Sequence, residues 1–569
     1  MYFIRNIKVD YRKRIKQSIN FVLNNQLKDK NLWKKFVNVF RNKEDVCDNG
    51  WRCEFFGKMM RGACLVYLYT KDSELYEILE NAVKDLLTTQ DEIGRFTSYI
   101  DEFQGWDMWG RKYVLTSLIY FFKISNNKKL KDEIILALKK HADYIVTKIG
   151  PNDGQKDILD TSDFWGGLNS ASIAETFIDL FRLTNDEKYL NFAKYVLSTG
   201  GCKDGDLIKL AFEGKLAPFN FPVTKAYEMM SFFEGCLEYY KVSGDEYYFK
   251  AFSNFIRKVK ETDVTAIGCC GCTHELFDNS FLKQTEESNV HMQETCVTVT
   301  WIRILEKYYE LTHELWCLDE IEKSTLNALY GSINKKHNKS YSLEDKKFVE
   351  ALPFDSYSPL YMSRRGLAIG GYKTLGDGSH YGCCACIASA GIAIYPLLGV
   401  ISTEKEIIIN YPCDVSIKEE GLDIAIKGCY FKDEKISIKI NKNLSNKLIK
   451  IRIPCYFKNV NFTCGNLNNG YLELNNINKC YISYNLELKI IELNNKILFT
   501  YGPLVLGQDN KINKEISLVS NEPKIKRIKN RKNEIVRFFI DNINFINYSS
   551  LCEDWDVKSM LTIWNDKRD

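Results

Sequence analysis

The sequence predicts a multidomain protein, an all-α (α/α)6 barrel followed by an all-β, jelly-roll-like sandwich. Over about the first 400 residues, apolar segments of helical character are separated by a recurring polar turn. Strict alternation of apolar and polar residues follows. The chain of 569 residues is also too long for a single hydrophobic core. We place the boundary after residue 402, with the barrel in 1–402 and the sandwich in 403–569.

Short polar turns divide the helical part at a nearly constant interval. They lie at residues 70–72, 125–127, 184–186 and 243–245, spaced 55, 59 and 59 residues apart, with a weaker copy at 312–314. The Asp or Asn that ends each of the first four turns is a typical N-cap for the second helix of a pair. This period predicts stacked helical hairpins, and about six pairs fit before residue 400, enough to close a toroid. An open solenoid is the alternative, and a first helix is expected over 9–25.

Long loops rich in Trp, Gly and Asp join the predicted hairpins, as in QGWDMW at 104–109 and SDFWGG at 162–167. Loops that recur at one end of each pair predict a shared cleft. Aromatic faces beside carboxylates are typical of sugar sites, although packing and helix capping are the alternative roles. The candidate sugar-binding residues of these loops are Trp106, Asp107, Trp109, Asp163, Trp165 and Asn169.

The second part of the chain has the pattern of a β-sandwich. Residues 434–440 and 449–453 alternate strictly between apolar and polar types, which predicts antiparallel strands with one buried face. The cysteines of this half are scattered, so we predict no catalytic group there.

Composition and charge narrow the classes of partner and compartment. The 78 basic and 74 acidic residues give a net charge of +4, which implies neither a nucleic acid nor a membrane partner. The N-terminal residues lack the apolar segment and cleavage site of a signal peptide. Nineteen cysteines in a large chain of this kind favour reduced, partly metal-binding thiols in the cytoplasm.

A cysteine cluster precedes a buried apolar segment. Cys383, Cys384 and Cys386 stand at the start of a predicted helix, where the helix dipole favours a thiolate. Glu294 and Cys296 open another predicted helix. Because zinc normally takes four Cys, His or carboxylate ligands, Glu294, Cys296, Cys383 and Cys384 predict a Zn²⁺ site, with buried structural thiols as the alternative.

These motifs together resemble glycoside hydrolase family 127, which contains the β-L-arabinofuranosidases. The resemblance rests on the order of three segments, GCTHELF at 271–277, ETC at 294–296 and the cysteine pair at 383–384. It extends to WGGLN at 165–169 and YGPLV at 501–505. It implies an (α/α)6 barrel followed by β-sandwich structure, and glycoside hydrolysis with retention of configuration.

The resemblance also implies roles for individual residues. Cys383 would be the nucleophile, and zinc held by Glu294, Cys296, Cys384 and Cys383 itself would keep its sulfur ionised. Glu275 would protonate the leaving oxygen and then activate water. His274 and His380 flank these motifs and are candidate substrate contacts. The expected substrate is an oligosaccharide with a terminal β-L-arabinofuranose or a related sugar.

The chain departs from the family pattern at several positions. Tyr113 and Lys225 stand where the arabinofuranosidases carry histidines that contact the sugar, so a different sugar is expected. The residues after the cysteine pair are ACI at 385–387 instead of Pro-Pro-Asn, and Cys386 is an alternative ligand to Cys384. The cysteines at 269, 270 and 272 have no role in the family pattern.

Two other functions compete with this interpretation. An α/α-barrel uronide hydrolase would use Asp, Glu and water, and would keep its activity without Cys383 or zinc. A non-catalytic sugar-binding protein with a structural zinc would bind without turnover. The β-sandwich makes a homodimer an open alternative to a monomer.

Overall fold

A computed structural model describes residues 7–47, 50–273, 275–287, 293–335, 339–342, 346–363, 365–368, 372–528, 535–556 and 558–568. Helices make up its first part and strands most of its second part. None of the described helices combines the length and the apolarity that crossing a bilayer requires.

Within the described residues, six inner helical positions close a ring. Each contacts the next, and the last contacts the first. The inner helices are α3 (Glu54–Thr70), α5 (Asp107–Ile124), α7 with α8 (Leu168–Ala171 and Ala174–Thr184), α11 (Ala226–Ser243), α14 (Thr295–Thr312) and α16 (Cys383–Gly399). The closed ring confirms the predicted (α/α)6 barrel over the open solenoid.

The outer helices are amphipathic and cover this ring. They are α1 (Lys13–Val22), α2 (Lys30–Asn42), α4 (Ser73–Leu87), α6 (Lys128–Lys148), α9 (Glu187–Ser198), α12 (Glu246–Thr262) and α15 (Trp316–Ser324). Shorter helices are α10 (Leu207–Glu213), α13 (Ser280–Lys283), α17 (Tyr430–Asp433) and α18 (Asn510–Asn513). The outer helices bury one apolar face, as expected for the second layer of a barrel.

The predicted turns join inner to outer helices. Asp72, Asn127, Asp186 and Asp245 each accept a backbone N–H at the start of the outer helix that follows. These side chains satisfy donors that a helix N-terminus leaves open. The weaker fifth turn also precedes an outer helix, α15, which has no side-chain cap.

The N-terminal segment differs from the single helix expected over 9–25. Strand β1 (Lys8–Tyr11) pairs with β13 (Val415–Glu419), and α1 begins only at Lys13. Tyr11 is fully buried and its hydroxyl donates to the Tyr411 carbonyl at 3.1 Å. Pairing with a distant strand therefore overrides the local helical pattern.

The β-rich part consists of three larger sheets. The first has the order β1, β13, β14 (Leu422–Lys427), β15 (Lys435–Asn443), β20 (Lys479–Asn485), β17 (Lys458–Phe462). The second is β11 (Val400–Ser402), β12 (Glu406–Ile409), β16 (Leu448–Arg452), β19 (Tyr471–Leu474), β18 (Asn466–Asn468). The third is β24 (Val519–Ser520), β29 (Asn565–Arg568), β22 (Lys496–Tyr501), β23 (Leu504–Asp509), β27 (Ile543–Asn547), β26 (Arg537–Ile540), β25 (Ile525–Ile528), with β21 (Leu488–Leu493) beside β22 and β28 (Leu561–Thr562) beside β23.

Small sheets lie in the loops of the barrel. They are β2 (Gly201–Cys202) with β3 (Gly205–Asp206), β4 (Gln293–Glu294) with β7 (Tyr357–Ser358), β5 (Lys339–Ser342) between β6 (Lys347–Glu350) and β8 (Leu367–Ala368), and β9 (Tyr372–Thr374) with β10 (His380–Gly382). Two of these pairs, β4 with β7 and β9 with β10, lead directly into inner helices α14 and α16.

A buried arginine ties the second sheet to the barrel. Arg452 in β16 forms ion pairs with Asp319 and Glu322 of α15. The Tyr456 hydroxyl also donates to Glu322, at 2.7 Å. An Arg between two carboxylates is a specific and directional contact, so the sheet has one defined position against the barrel.

We predict that Gly57→Ala destabilises the ring. A Cβ at Gly57 in α3 would overlap the carbonyl of Tyr113 in α5, and overpacking of this kind costs about 1–3 kcal/mol. The midpoint of thermal unfolding should fall. The matched control is Gly235→Ala in α11, where the nearest atom, the Ala174 Cβ, is 3.1 Å from the added carbon. Equal midpoints for the two variants would contradict the close contact of α3 and α5.

Candidate active site

Two neighbouring inner helices begin at the site. Glu294 ends β4 and lies at the N-cap of α14, whose first turn contains Cys296. Cys383 and Cys384 form the first turn of α16, directly after β10. Helices α14 and α16 pack side by side in the ring. The packing of these consecutive inner helices therefore brings together residues that are about ninety positions apart in the sequence.

Four donor atoms converge at these helix ends. One donor atom from each of Glu294, Cys296, Cys383 and Cys384 lies within 4.8 Å of every other. The Glu294 Oε1 atom is 3.2 Å from the Cys384 Sγ and 3.9 Å from the Cys383 Sγ. All four residues are buried. The structure thus brings together the four residues that the sequence indicated as metal ligands.

The donor set fits a metal ion. Three sulfurs and one carboxylate oxygen are a ligand combination that suits a tetrahedral site. The Glu294 Oε2 atom is buried and has no hydrogen-bond partner among the described residues, although buried carboxylate oxygens are normally satisfied. A cation bound by this group would satisfy that atom and balance the thiolates. The group can therefore hold a metal ion.

Cys383 is the most accessible member of the donor set. Its exposed fraction is 8%, whereas those of Cys296 and Cys384 are 0%. Hydrogen bonds from the thiols of Cys296 and Cys384, together with nearby lysine charges, hold the pKa of Cys383 well below its usual range. Burial instead raises the pKa of Cys296 and of Cys384. Negative charge thus concentrates on the sulfur that a ligand can reach.

Burial also raises the pKa of Glu294, to about 8, with a further contribution from the charge of Cys383. The carboxylate and the thiolate therefore disfavour each other's ionised forms while no cation lies between them. This mutual cost is a second reason to expect a cation at the donor set.

A buried lysine lies behind the donor set and was not predicted from the sequence. The Lys58 Nζ atom is 3.7 Å from the Cys296 Sγ and 2.8 Å from the Glu54 Oε1. It lies 4.3 Å from the centre of the Tyr227 ring. Burial raises the pKa of Glu54 to about 7, against the opposing charge of Lys58. The i,i+4 spacing of Glu54 and Lys58 in an otherwise apolar helix is the signal that could have identified them.

Two residues near the donor set contact the Glu275 carboxylate. Its Oε2 atom forms an ion pair with Lys225, and its Oε1 accepts from the Tyr357 hydroxyl at 3.2 Å. Tyr357 is paired with Glu294 across β7 and β4. Glu275 has a left-handed backbone, with φ of 67°, and its carbonyl accepts from the Ala226 N–H at 2.8 Å. Neither Lys225 nor Tyr357 was predicted as a contact of Glu275.

Some of the predicted sugar-binding residues keep exposed surface. Trp165 is 36% exposed, and the Lys225 ammonium lies 5.5 Å from the centre of its ring. Asp163 is exposed two residues earlier. Trp106 is half-buried and stacks on Phe164, with 5.8 Å between ring centres. His380 is half-buried in β10, next to the cysteine pair, and its ring meets Tyr372 edge-on.

The other predicted sugar-binding residues are buried and engaged within the protein. The indole nitrogen of Trp109 donates to Glu54. Asp107 accepts from the Thr97 hydroxyl at 2.6 Å. The Asn169 amide donates to a loop carbonyl at 2.9 Å. These contacts hold the loops in place. His274 lies outside the described residues.

The additional cysteines do not join the donor set. Cys269 donates to the backbone carbonyl of Glu294 at 3.3 Å, and the Cys270 sulfur lies 4.0 Å from that of Met230. Burial raises the pKa of Cys386, which follows the pair in α16. Among the described residues, the group that can hold a metal contains Cys384 and not Cys386.

Along its whole length, the chain is similar to enzymes of one glycoside hydrolase family. A family model described as the GH127 catalytic domain of β-L-arabinofuranosidase matches residues 5–344. A solved GH127 β-arabinofuranosidase has a TM-score of 0.74 at 15% identity, over 100% of this chain and 97% of its own. Among curated proteins, none matches the sequence.

Two further solved structures have the same fold. A GH127 β-L-arabinofuranosidase from Geobacillus stearothermophilus T6 has a TM-score of 0.71 at 14% identity, over 99% of this chain and 100% of its own. A structure described as a glycoside hydrolase has a TM-score of 0.69 at 14% identity, over 99% of this chain and 97% of its own. At these identities the likeness shows a common fold from end to end.

We predict about one metal ion per chain, since the four donors form one closed ligand set. Metal analysis of protein purified under reducing conditions measures this. Glu294→Gln should lose most of the ion because the amide is a poor ligand without negative charge. Cys269→Ser, which changes a neighbouring thiol outside the donor set, should keep it. A metal-free, folded wild type, or equal metal content in the two variants, would contradict the assigned ligands.

Proposed function

The chain belongs to glycoside hydrolase family 127, and on that premise we propose that it is a retaining glycosidase with Cys383 as its nucleophile. It would release a terminal β-L-arabinofuranose or a related sugar from oligosaccharides. The observation that carries this proposal is the position of Cys383, the most exposed thiol of a buried group of three thiols and a carboxylate. Glu275 supplies a carboxyl group that is linked through Tyr357 to Glu294 of the same group.

We propose Zn²⁺ as the ion of this site. Zinc held by Glu294, Cys296, Cys383 and Cys384 would keep the sulfurs ionised at neutral pH. The choice of zinc follows from the ligand types, because three sulfurs favour it over the harder Mg²⁺ and Ca²⁺. Lys58, 3.7 Å from the Cys296 sulfur, would compensate the remaining negative charge.

Two displacements at the anomeric carbon then account for retention. In the first, the Cys383 sulfur forms a bond to that carbon, the glycosidic C–O bond breaks, and Glu275 gives its proton to the leaving oxygen. In the second, water attacks the same carbon, Glu275 takes a proton from that water, and the S–C bond breaks. Each step inverts the configuration at the anomeric carbon, so the released sugar has the configuration of the substrate.

Trp165, His380 and His274 are proposed to contact the sugar. The exposed face of Trp165 suits stacking on the apolar face of a sugar ring. His380 and His274 adjoin the nucleophile and the acid in the sequence. Asp107, Trp109 and Asn169 would act indirectly, through the loops that they hold.

The compartment is part of the proposal. Cys64, Cys236 and Cys317 are buried as free thiols, which suits a reducing environment. We therefore propose that the enzyme acts in the cytoplasm, on short oligosaccharides that have been imported.

We predict that Cys383→Ala lowers kcat/KM by about a thousandfold or more, because the variant lacks the sulfur proposed to form the covalent intermediate. Aryl glycosides, including 4-nitrophenyl β-L-arabinofuranoside, serve as substrates, and NMR of the first-formed product should show the anomer of the substrate. Cys269→Ala is the control and should retain activity. Full activity of Cys383→Ala would instead support an Asp/Glu mechanism, and binding without any wild-type turnover would support a sugar-binding protein.

We predict that Glu275→Gln lowers kcat for poor leaving groups by about 10²–10⁴, the usual contribution of general acid catalysis. Dinitrophenyl glycosides need little protonation of the leaving oxygen, so their first step should be affected far less. The metal content should be unchanged, because Glu275 lies outside the donor set. The same loss for good and poor leaving groups would contradict the role of Glu275 as the acid.

A further inference from the structure

Lys225 is the cation that faces the proposed sugar site. Its side chain is 12% exposed and forms an ion pair with Glu275. Its ammonium lies 5.5 Å from the centre of the exposed Trp165 ring. Its charge also acts on Cys383 and on Glu294. One amine therefore lies among the proposed acid, nucleophile and stacking surface.

The ion pair opposes the first chemical step as long as it persists. An ammonium next to a carboxyl group favours the ionised form, whereas the first displacement needs the protonated Glu275. A neutral sugar offers Lys225 no charge in exchange for that of Glu275. The arrangement therefore favours a substrate that brings its own negative charge.

We propose that the terminal sugar carries a carboxylate, and that Lys225 selects it. This proposal rests on the glycosidase function proposed above. The substrate carboxylate takes the place of the Glu275 Oε2 atom as the partner of Lys225. A proton from solvent then binds Glu275, which becomes the acid for the leaving oxygen. When the product leaves, Lys225 returns to Glu275.

The two oxygens of Glu275 have separate partners, which makes this exchange feasible. Lys225 contacts Oε2, and the Tyr357 hydroxyl donates to Oε1 at 3.2 Å. Tyr357 is itself held in the pairing of β7 with β4. Glu275 therefore keeps its position when Lys225 changes partner, and Oε2 becomes available for the proton.

Lys58, the other lysine near the nucleophile, does not suit this role. Its side chain is 1% exposed, and Glu54, Cys296 and aromatic rings surround it. A substrate group cannot reach it without displacing those contacts. The single ammonium of Lys225 matches a single negative charge, as on a uronic acid, whereas multiply charged phosphate groups are typically held by arginines or helix N-termini.

Binding of matched sugar pairs tests the proposal without relying on turnover. The probes are L-arabinose with L-arabinuronate, and D-galactose with D-galacturonate, measured by calorimetry on the metal-loaded enzyme. We expect at least one uronate to bind about tenfold or more tightly than its neutral partner, as for a partly buried charge pair. Acetate should not reproduce this, and added salt should weaken it.

Lys225→Met should abolish the preference for the uronate, and Lys203→Met should leave it intact. Lys203 is a suitable control because it is a lysine near the loop of Trp165. Its backbone N–H donates to the Gly166 carbonyl, and its side chain forms an ion pair with Asp160. Equal binding of neutral and acidic sugars by the wild type, failure of every uronate to bind, or a preference that survives in Lys225→Met would overturn the proposal.

Turnover separates this proposal from the one on which it rests. With 4-nitrophenyl β-L-arabinofuranoside and its C5-carboxylate analogue, the wild type should favour the acid in kcat/KM and Lys225→Met should not. Hydrolysis of the neutral glycoside alone, dependent on Cys383, would support the glycosidase and refute the anionic substrate. Preferential binding of a uronate without hydrolysis of either glycoside would support the role of Lys225 and refute the proposed function.

Discussion

The site depends on the burial of four ionisable side chains at the ends of two adjacent helices. Glu294 and Cys296 open α14, and Cys383 and Cys384 open α16. These helices are consecutive members of the ring and pack side by side, and closure of the ring places α3, which carries Lys58, on the other side of α16. Buried carboxylate and thiolate groups are costly unless cations balance them. The barrel supplies part of that balance through Lys58, and a metal ion held by the donor set would supply the rest.

The interior of the barrel continues this pattern of buried charge. The Lys307 Nζ atom lies 2.7 Å from oxygens of both Glu175 and Glu234, and Arg303 pairs with the same two residues. These groups come from α8, α11 and α14, so each ion pair also joins helices of the ring. Removing one member would leave its partner buried and uncompensated, a large penalty. These four charges of the apolar inner helices are therefore matched between neighbouring helices of the ring.

Local signals predicted much of the fold, and distant contacts explain what they missed. Asp72 and Asp245 could be recognised as N-caps because capping depends on the next few residues. The helix expected over 9–25 begins only at Lys13, because β1 pairs with a strand that begins at Val415. Cys383 could be found from its motif, but the contact of Lys58 with Cys296 could not, because these two residues are 238 positions apart. The periodicity of a helix predicts which of its faces is buried. It does not predict which charged residue of another element that face contacts.

The pairing of Lys225 with Glu275 is held by the main chain. The Ala226 N–H donates to the Glu275 carbonyl and the Phe277 N–H to that of Thr224, each at 2.8 Å. This short ladder holds the backbone of residue 225 beside that of residue 275 through main-chain bonds alone. The proposed nucleophile, Cys383, belongs to α16, and the rest of the donor set belongs to α14 and α16, so Lys225 acts on these groups through its charge and not as a member of the set. The residue proposed to select the sugar and the proposed acid therefore share one ladder, which is separate from the helices that carry the donor set.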